Sequence, residues 1–448
     1  MAELVWKGKY QDGVRVRGPR VAPELLDEEL HGDAPTGAWR DRLIRGDAAH
    51  VLASLLPELA GQVSLIYVDP PFDTGGDFTY RAAIPGTPED TPRLELPAYS
   101  DARGLDAWLS FFSDLAELWT ELLAPGGSLY VHLDAHASHY AKVVLDEVLG
   151  PDAFQREIVW RIGWISGFKS RARSWIRNHD TLLFYAKGGR PATFHKEYLP
   201  YPEGYVRRDG VPPKGPGYPI EDVWNGTELD RMDSIQIMSF SGEKVGYPTQ
   251  KNESLVARIV RASSDPGDLV LDCFVGSGTT ARVASKLGRR WVACDASPLA
   301  VHATRKRLLA AADPRPLVVQ RLADEPDLAV ARGKLTTRAR VDGRACTVEL
   351  RSFDLGPAAA SVPRAVRERV THWSQWIEGW CVDWDHRGGA LHAGASVWRG
   401  RGRELPVSVT RSCEPPVGRV VLVRVFDVLG RATTRAARVA RVGTPTDA

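Results

Sequence analysis

The spacing of apolar and polar positions along this chain changes period in a regular order. In "RLIRGDAAHVLASLLPELAGQVSLIYVDPPF" a short apolar strand runs out at Asp47, an amphipathic pattern predicts a helix over 48–59, and a continuous apolar run predicts a buried strand from Val63 to Val68. The unit then recurs. Trp108, Phe111, Phe112, Leu115, Leu118, Trp119 and Leu122 fall at helical spacing, Pro-Gly-Gly stops that helix, and 128–133 reads as the next strand. "HASHYAKVVLDEVLG" predicts a further helix, with strands near 157–162 and 181–187 after it. From about 188 to 246 periodicity fails in a stretch rich in Pro, Gly and Tyr, which predicts an excursion from the core. Alternation returns with the helix "NESLVARIVRASS", the strand "GDLVLDCFVGSGTT" running into a helix, the strand "RRWVACDAS", and a helix to about 311. Strands alternating with helices over 39–312 predict an α/β domain whose parallel sheet is covered on both faces.

The two ends read differently. Residues 1–38 are polar and broken by prolines, and are expected to form an arm. Residues 317–448 are strand-like with one helical piece, and are expected to form a separate β-rich domain with a sandwich fold, in which "RVVLVRVFDVLGRATTRAARV" resembles the last strands of an immunoglobulin-like one. The five tryptophans there, Trp373, Trp376, Trp380, Trp384 and Trp398, are expected in its core.

Composition narrows the class. With 43% hydrophobic and 25% charged residues in 448, the chain has the balance of a globular protein with more than one core. It offers no window apolar enough to span a membrane, and its first residues lack a secretory signal, so a cytoplasmic location is expected. Cys273, Cys294, Cys346, Cys381 and Cys413 are odd in number and contain no Cys-x-x-Cys pair, which suggests neither a zinc site nor a disulfide framework. His132, His136 and His139 flank one strand and helix without a set of partners, and no metal site is expected. A net charge of +2 leaves room only for a local nucleic-acid surface.

Two stretches carry candidate chemistry. In "DPPF", Asp69 follows a buried strand and so stands at the rim where open α/β sheets bind ligands. Pro70 and Pro71 fix the chain and bring carbonyl oxygens without N–H groups, so Asp69 and the Pro70 carbonyl can present two rigid acceptors to an amino group. Phe72 adds an apolar face for a planar ring. The bland alternative is a strand stop and a turn. In "LVLDCFVGSGTTARVASKLGRRWVACD", Asp272 ends a strand, Gly276 and Gly278 let backbone approach a ligand at a helix start beside Phe274, Ser277 and Thr279, and Asp295 closes the next strand where it could accept from ribose hydroxyls. The same glycines satisfy a dinucleotide pattern, so a nicotinamide or flavin oxidoreductase stays open on this segment alone.

Taken together, "DPPF" and "FVGSG" resemble the amino-methyltransferases of DNA. In that family a D-P-P-[YFW] tetrad holds the target amine and an F-x-G-x-G segment holds S-adenosyl-L-methionine. The tetrad here precedes the glycine segment by about two hundred residues, as in the circularly permuted β group, and "LLAPGGSLYVHLD" and "HYAKVVLDEVLG" are similar to type III restriction-modification methylation subunits and related adenine methyltransferases. The resemblance implies a Rossmann-like, S-adenosylmethionine-dependent sheet with a target-recognition insertion over 188–246. It implies Asp69, Pro70, Pro71 and Phe72 as catalytic residues, Asp47 near the cofactor's adenine, and Thr249 and Lys251, from "YPTQKNESLVARIV", near its methionine end. Asp295 stands where Glu is common, and Cys273 where Pro is usual.

Double-stranded DNA is the implied partner, through Lys169, Arg171, Arg173 and Arg177, interleaved with tryptophans, and through Arg207 and Arg208 of the insertion. A solvated basic loop is the plain alternative for the first group. Restriction, helicase or other defence-system subunits and a second copy of the chain are further partners such a protein could have. Adenine N6 is the expected target, with cytosine N4, an RNA or small-molecule substrate, the oxidoreductase and a non-catalytic binding module as alternatives. A Cys273 nucleophile of the cytosine-C5 kind is not expected, since this cysteine follows a buried strand.

Overall fold

The structure, a computed structural model, describes residues 3–19, 23–35, 37–162, 173–227, 230, 243–327, 333–400, 403–412 and 419–441. Its centre is an eleven-stranded sheet. In chain order its strands are β1 (Leu25–His31), β2 (Asp41–Arg45), β3 (Val63–Val68), β4 (Leu123–Leu133), β5 (Phe154–Arg161), β6 (His179–Ala186), β7 (Val223–Trp224), β8 (Leu269–Asp272), β9 (Arg290–Asp295), β10 (Leu317–Leu322) and β11 (Leu391–Ala393). In space they run β7-β5-β6-β4-β3-β8-β9-β2-β10-β1-β11. The six from β4 to β10 are mutually parallel, and β6 and β1 pair antiparallel on either side of them.

Among the described residues, six helices cover this sheet. The first, α1 (Ala48–Leu59), α2 (Leu105–Leu122) and α3 (Ser138–Leu149) share a core with Ile66, Val68 and Leu271. On the other face α4 (Glu253–Ser263), α5 (Thr279–Lys286) and α6 (Pro298–Leu309) pack with Leu65, Tyr67 and Val270. A strand buried on both faces has no polar side to show, which is why Val63–Val68 reads as one apolar run.

The arm expected over 1–38 is in part a strand of this sheet. Leu25–His31 pairs with β10, and its inward-facing buried positions are Glu29 and His31. Glu29 is completed by Arg305 and Arg424, each at 3.0 Å, and by His31 at 2.9 Å. Burial alone would raise the Glu29 pKa, but Arg305, His31 and Arg424 hold it well below the usual carboxylate range. Apolar alternation cannot find a strand whose core positions are a compensated ion cluster.

The C-terminal region is β-rich, and seven of its strands form one sheet. Ala432–Arg441 joins its halves, pairing first with Val420–Asp427 and then, from Val439, with Lys334–Asp342. Leu335 and Val348 of one half share a buried core with Trp380 and Val425 of the other. The region does not stand apart from the central sheet. β10 and β11, from beyond residue 312, complete the central sheet, and Arg424 reaches the buried Glu29.

Candidate active site

Because β3, β8, β9 and β2 are parallel neighbours, the segments after them emerge at one edge of the sheet. That edge carries Asp69, Asp272, Asp295 and Asp47 within a few residues of the four strand ends. Between them lies a cavity of about 400 Å³. Asp69, Pro70, Pro71 and Phe72 line it, as do Asp47, Thr249, Lys251, Asp272, Phe274, Gly276, Ser277, Thr279 and Asp295.

On the tetrad side, Lys251 Nζ donates to Asp69 Oδ2. Among the described residues Asp69 Oδ1 is buried and has no hydrogen-bond partner. The lysine also lies 5.7 Å from the Phe72 ring centroid, and its backbone carbonyl accepts from Thr279 Oγ1 at 3.0 Å. Lys251 therefore ties the glycine segment to the tetrad, a role beyond its expected place at the cofactor. Phe72 stacks on His132, with planes 16° apart and centroids at 6.4 Å. His132 is buried between the Tyr67 hydroxyl at 3.1 Å and Asp180 at 3.3 Å. Burial would raise the Asp180 pKa, but the His132 hydrogen bond and charge, with Lys251 and Arg177, hold it well below the usual range.

On the glycine side the turn is built for close approach. Gly276 has φ +48° and Gly278 φ +80°, conformations L side chains rarely adopt. The Gly276 N–H donates to Asp295 Oδ2 at 3.0 Å, and Ser297 N–H to Asp295 Oδ1 at 2.9 Å. Asp272 Oδ1 accepts from Phe274 N–H at 2.9 Å. Burial pushes Asp272 up to about 7 against hydrogen bonds from Thr280 and Phe274, and pushes Asp295 up to about 6 against those from Ser297 and Gly276.

Several expected residues have other work. Gly278 is absent from the cavity lining; a Cβ there would meet Thr304 Oγ1 at 2.8 Å and Thr304 Cα at 3.1 Å, so its smallness lets α5 approach α6. Asp47 lines the cavity but also caps α1, accepting from Ala49 N–H at 3.0 Å and His50 N–H at 3.3 Å. Arg177 is committed to two buried carboxylates, Asp134 at 3.2 Å and Asp180, so it is not the free phosphate cation expected of it. Arg173, Arg207 and Arg208 are exposed, with Arg207 paired to Asp209 at 3.2 Å. Lys169 and Arg171 lie outside the described residues. Cys273 is buried, accepts from Trp119 Nε1 at 3.4 Å, and burial pushes its thiol well above the ordinary value, the reverse of what a nucleophile needs.

Other residues of the site escaped the sequence reading. Between the tetrad and α2 a hairpin, Gly76–Ala82 with Leu94–Asp101, adds Phe78, Tyr99 and Asp101 to the cavity wall. Its signal was the alternation of Phe78, Tyr80, Ala82 and Ile84 after a Gly-Gly pair. Thr304 and Arg307 support the glycine turn from α6, donating to the carbonyls of Gly276 and Ser277 at 3.1 Å each. No local sequence signal marks these two. Among the described residues no group of three His, Cys, Asp or Glu side chains could hold a metal ion, and no helix is long and apolar enough to cross a membrane.

The chain is 29% identical over 306 residues to the type II methyltransferase M.EcaI of Enterobacter cloacae, a match spanning 55% of this chain and 64% of that one. It is 26% identical over 269 residues to the type II methyltransferase M2.DpnII of Streptococcus pneumoniae, covering 59% and 88% of the two chains. Both relatives carry type II names. Among solved structures, the M1.HpyAVI–SAM complex gives a TM-score of 0.38 at 19% identity, over 60% of this chain and 98% of that one. The description of the DNA methylase family fits residues 63–306, more than half of the chain and the stretch holding both cavity loops, and the chain belongs to that family, with the tetrad-first order of its permuted amino-methyltransferases.

Proposed function

We propose that this protein transfers a methyl group from S-adenosyl-L-methionine to the N6 amino group of adenine in double-stranded DNA. The observation that carries the reading is Asp69. Its Oδ2 is held by Lys251 while its Oδ1 is buried and, among the described residues, unpartnered, an acceptor waiting for a donor in a residue of the cavity wall. An exocyclic amine placed there would donate to Asp69 Oδ1 and to the Pro70 carbonyl, which draws the nitrogen lone pair out of conjugation with the ring. Phe72 offers the face on which an extruded base would stack.

The residues of the glycine side suit the cofactor. Backbone at Gly276 can approach closely, Phe274 gives an apolar face, and Asp272 and Asp295 are carboxylates available to hydroxyl and ammonium groups. When bound, S-adenosyl-L-methionine supplies an electrophilic methyl group on a sulfonium. The carboxylate of Asp69 offsets the positive charge that develops on the attacked amine, and the surrounding loops fix the amine in line. No covalent bond to the enzyme is needed, consistent with the buried, protonated Cys273.

Asp at the head of the tetrad is the feature that favours adenine over cytosine. Arg207 and Arg208 are the proposed DNA contacts of a target-recognition region over 188–246, with Arg173 beside the fully exposed Trp175. Work within a restriction-modification or other defence system fits the type II relatives. Methylome sequencing of a methylation-free host expressing the chain tests the reading: N6-methyladenine at one motif is expected, and N4-methylcytosine or an unmodified genome would refute it.

A further inference from the structure

The two prolines of the tetrad leave its loop with few backbone donors, and the three that follow converge. Phe72, Asp73 and Thr74 N–H groups donate to the carboxylate of Asp101 at 3.2, 2.8 and 3.1 Å, and the Thr74 hydroxyl adds a fourth bond at 2.8 Å. Asp101 is only 2% exposed. The clasp is reciprocal: Asp73 Oδ1 accepts from the N–H groups of Arg103 and Gly104 at 2.8 Å each, just beyond Asp101 in the chain. Trp108 Nε1 pins the Pro71 carbonyl at 2.7 Å.

The other end of the same hairpin is anchored in the C-terminal region. Tyr80, Ala82, Ile84 and Leu94 belong to one buried cluster with Leu350, Phe353, Trp380 and Val425 of the C-terminal sheet. Between the two ends, Arg81 N–H donates to the Gly246 carbonyl at 3.1 Å, and the Tyr99 hydroxyl meets Thr249 Oγ1 at 3.2 Å. The hairpin thus spans from the C-terminal core to the loop that presents Asp69 and Phe72.

We infer that Asp101 is a positioning residue for methyl transfer: from a hairpin rooted in the C-terminal sheet, its carboxylate gathers the three N–H groups of the tetrad loop and holds Asp69 and Phe72 in register with the cofactor side. This rests on the function proposed above. The carboxylate acts through the loop, since its oxygens are taken up by the loop's own donors. Removing it leaves three N–H groups and the Thr74 hydroxyl without their acceptor, and a displacement near 1 Å at a reacting group costs about a hundredfold in rate.

The test is single-turnover transfer of tritium from labelled S-adenosyl-L-methionine into unmethylated plasmid DNA, beside calorimetric binding of the same cofactor, for the full chain and its Asp101→Ala and Asp101→Asn variants. Asp101→Ala should transfer about a hundredfold more slowly at saturating cofactor with its cofactor affinity unchanged. Asp101→Asn should fall between, because its one carbonyl oxygen can serve only part of the donor set. Transfer by Asp101→Ala at the parent rate, or a loss that follows weakened cofactor binding, would overturn the inference. The parent chain and Asp69→Ala are run alongside: a parent that moves no label defeats the proposed function and this inference with it, whereas an active parent and inactive Asp69→Ala leave Asp101 as the only question.

Discussion

The loops after β3 and β8 begin alike and are made rigid by opposite means. Each follows a buried parallel strand, each starts with an aspartate, and the two strands are hydrogen-bonded neighbours. The tetrad loop is stiffened by residues that lack freedom, two prolines and an aspartate clasp. The glycine loop is stiffened at residues with an excess of it, where Asp295 and α6 hold the positive-φ turn. The acids differ accordingly. Asp69 keeps a lysine on one oxygen and, among the described residues, an unpartnered buried acceptor on the other, while Asp272 is buried against backbone and threonine donors and pushed up to about 7. One loop is suited to receive a hydrogen-bonding substrate, the other to pack closely around a ligand it encloses.

The largest expected effect separates the two loops outright. Asp69→Ala should slow methyl transfer about a thousandfold, the order found when one preorganised electrostatic contact is lost, while cofactor binding measured by calorimetry is unchanged. Equal loss of both would mean that the loops do not divide the work. Next comes the pH dependence of the glycine side. Asp272 and Asp295 have raised pKa values in the fold, about 7 and about 6, so the native state holds their protons more tightly than the unfolded chain. Their contribution to stability is full below about pH 4 and is lost as pH rises toward 7. Asp272→Asn cannot ionise, so relative to the parent it should gain stability across that interval, by up to a few kcal/mol. Urea unfolding of both proteins at pH 5 and pH 7.5 measures the difference, and a constant offset would contradict it.

A smaller effect tests why Gly278 is glycine. A Cβ there would press on Thr304 and sit on a positive-φ backbone, so Gly278→Ala should cost about 1–3 kcal/mol by overpacking and backbone strain, read as a lower unfolding midpoint. An unchanged midpoint would contradict both costs. The smallest effect concerns Cys273, where replacement by Ala should leave the rate of transfer nearly unchanged while lowering stability by about 1 kcal/mol. Loss of transfer with cofactor still bound would restore the cysteine as a nucleophile.

The alternation of apolar strand and amphipathic helix made the parallel core legible, down to the bounds of Ala48–Leu59 and Val63–Val68. Both cavity loops were legible because each carries unusual residues in a short run. The rest was hidden for physical reasons. Leu25–His31 has charged residues at its buried positions, and its partners Arg305 and Arg424 lie hundreds of residues away. Asp101 is one acid among many until the fold sets it against three N–H groups. Arg177 looked like a free cation in a basic run because Asp134 comes from a distant part of the chain and its carboxylate meets Arg177 only after β4 and β6 pair, beside Asp180, which follows Arg177 closely in the sequence.

The most direct measurement is a crystal structure of the protein with S-adenosyl-L-methionine. The cofactor is expected along the glycine turn, between Phe274 and Asp295, with its methyl group directed toward Asp69. A cofactor bound elsewhere, or one whose methyl faces away from the tetrad, would contradict this placement.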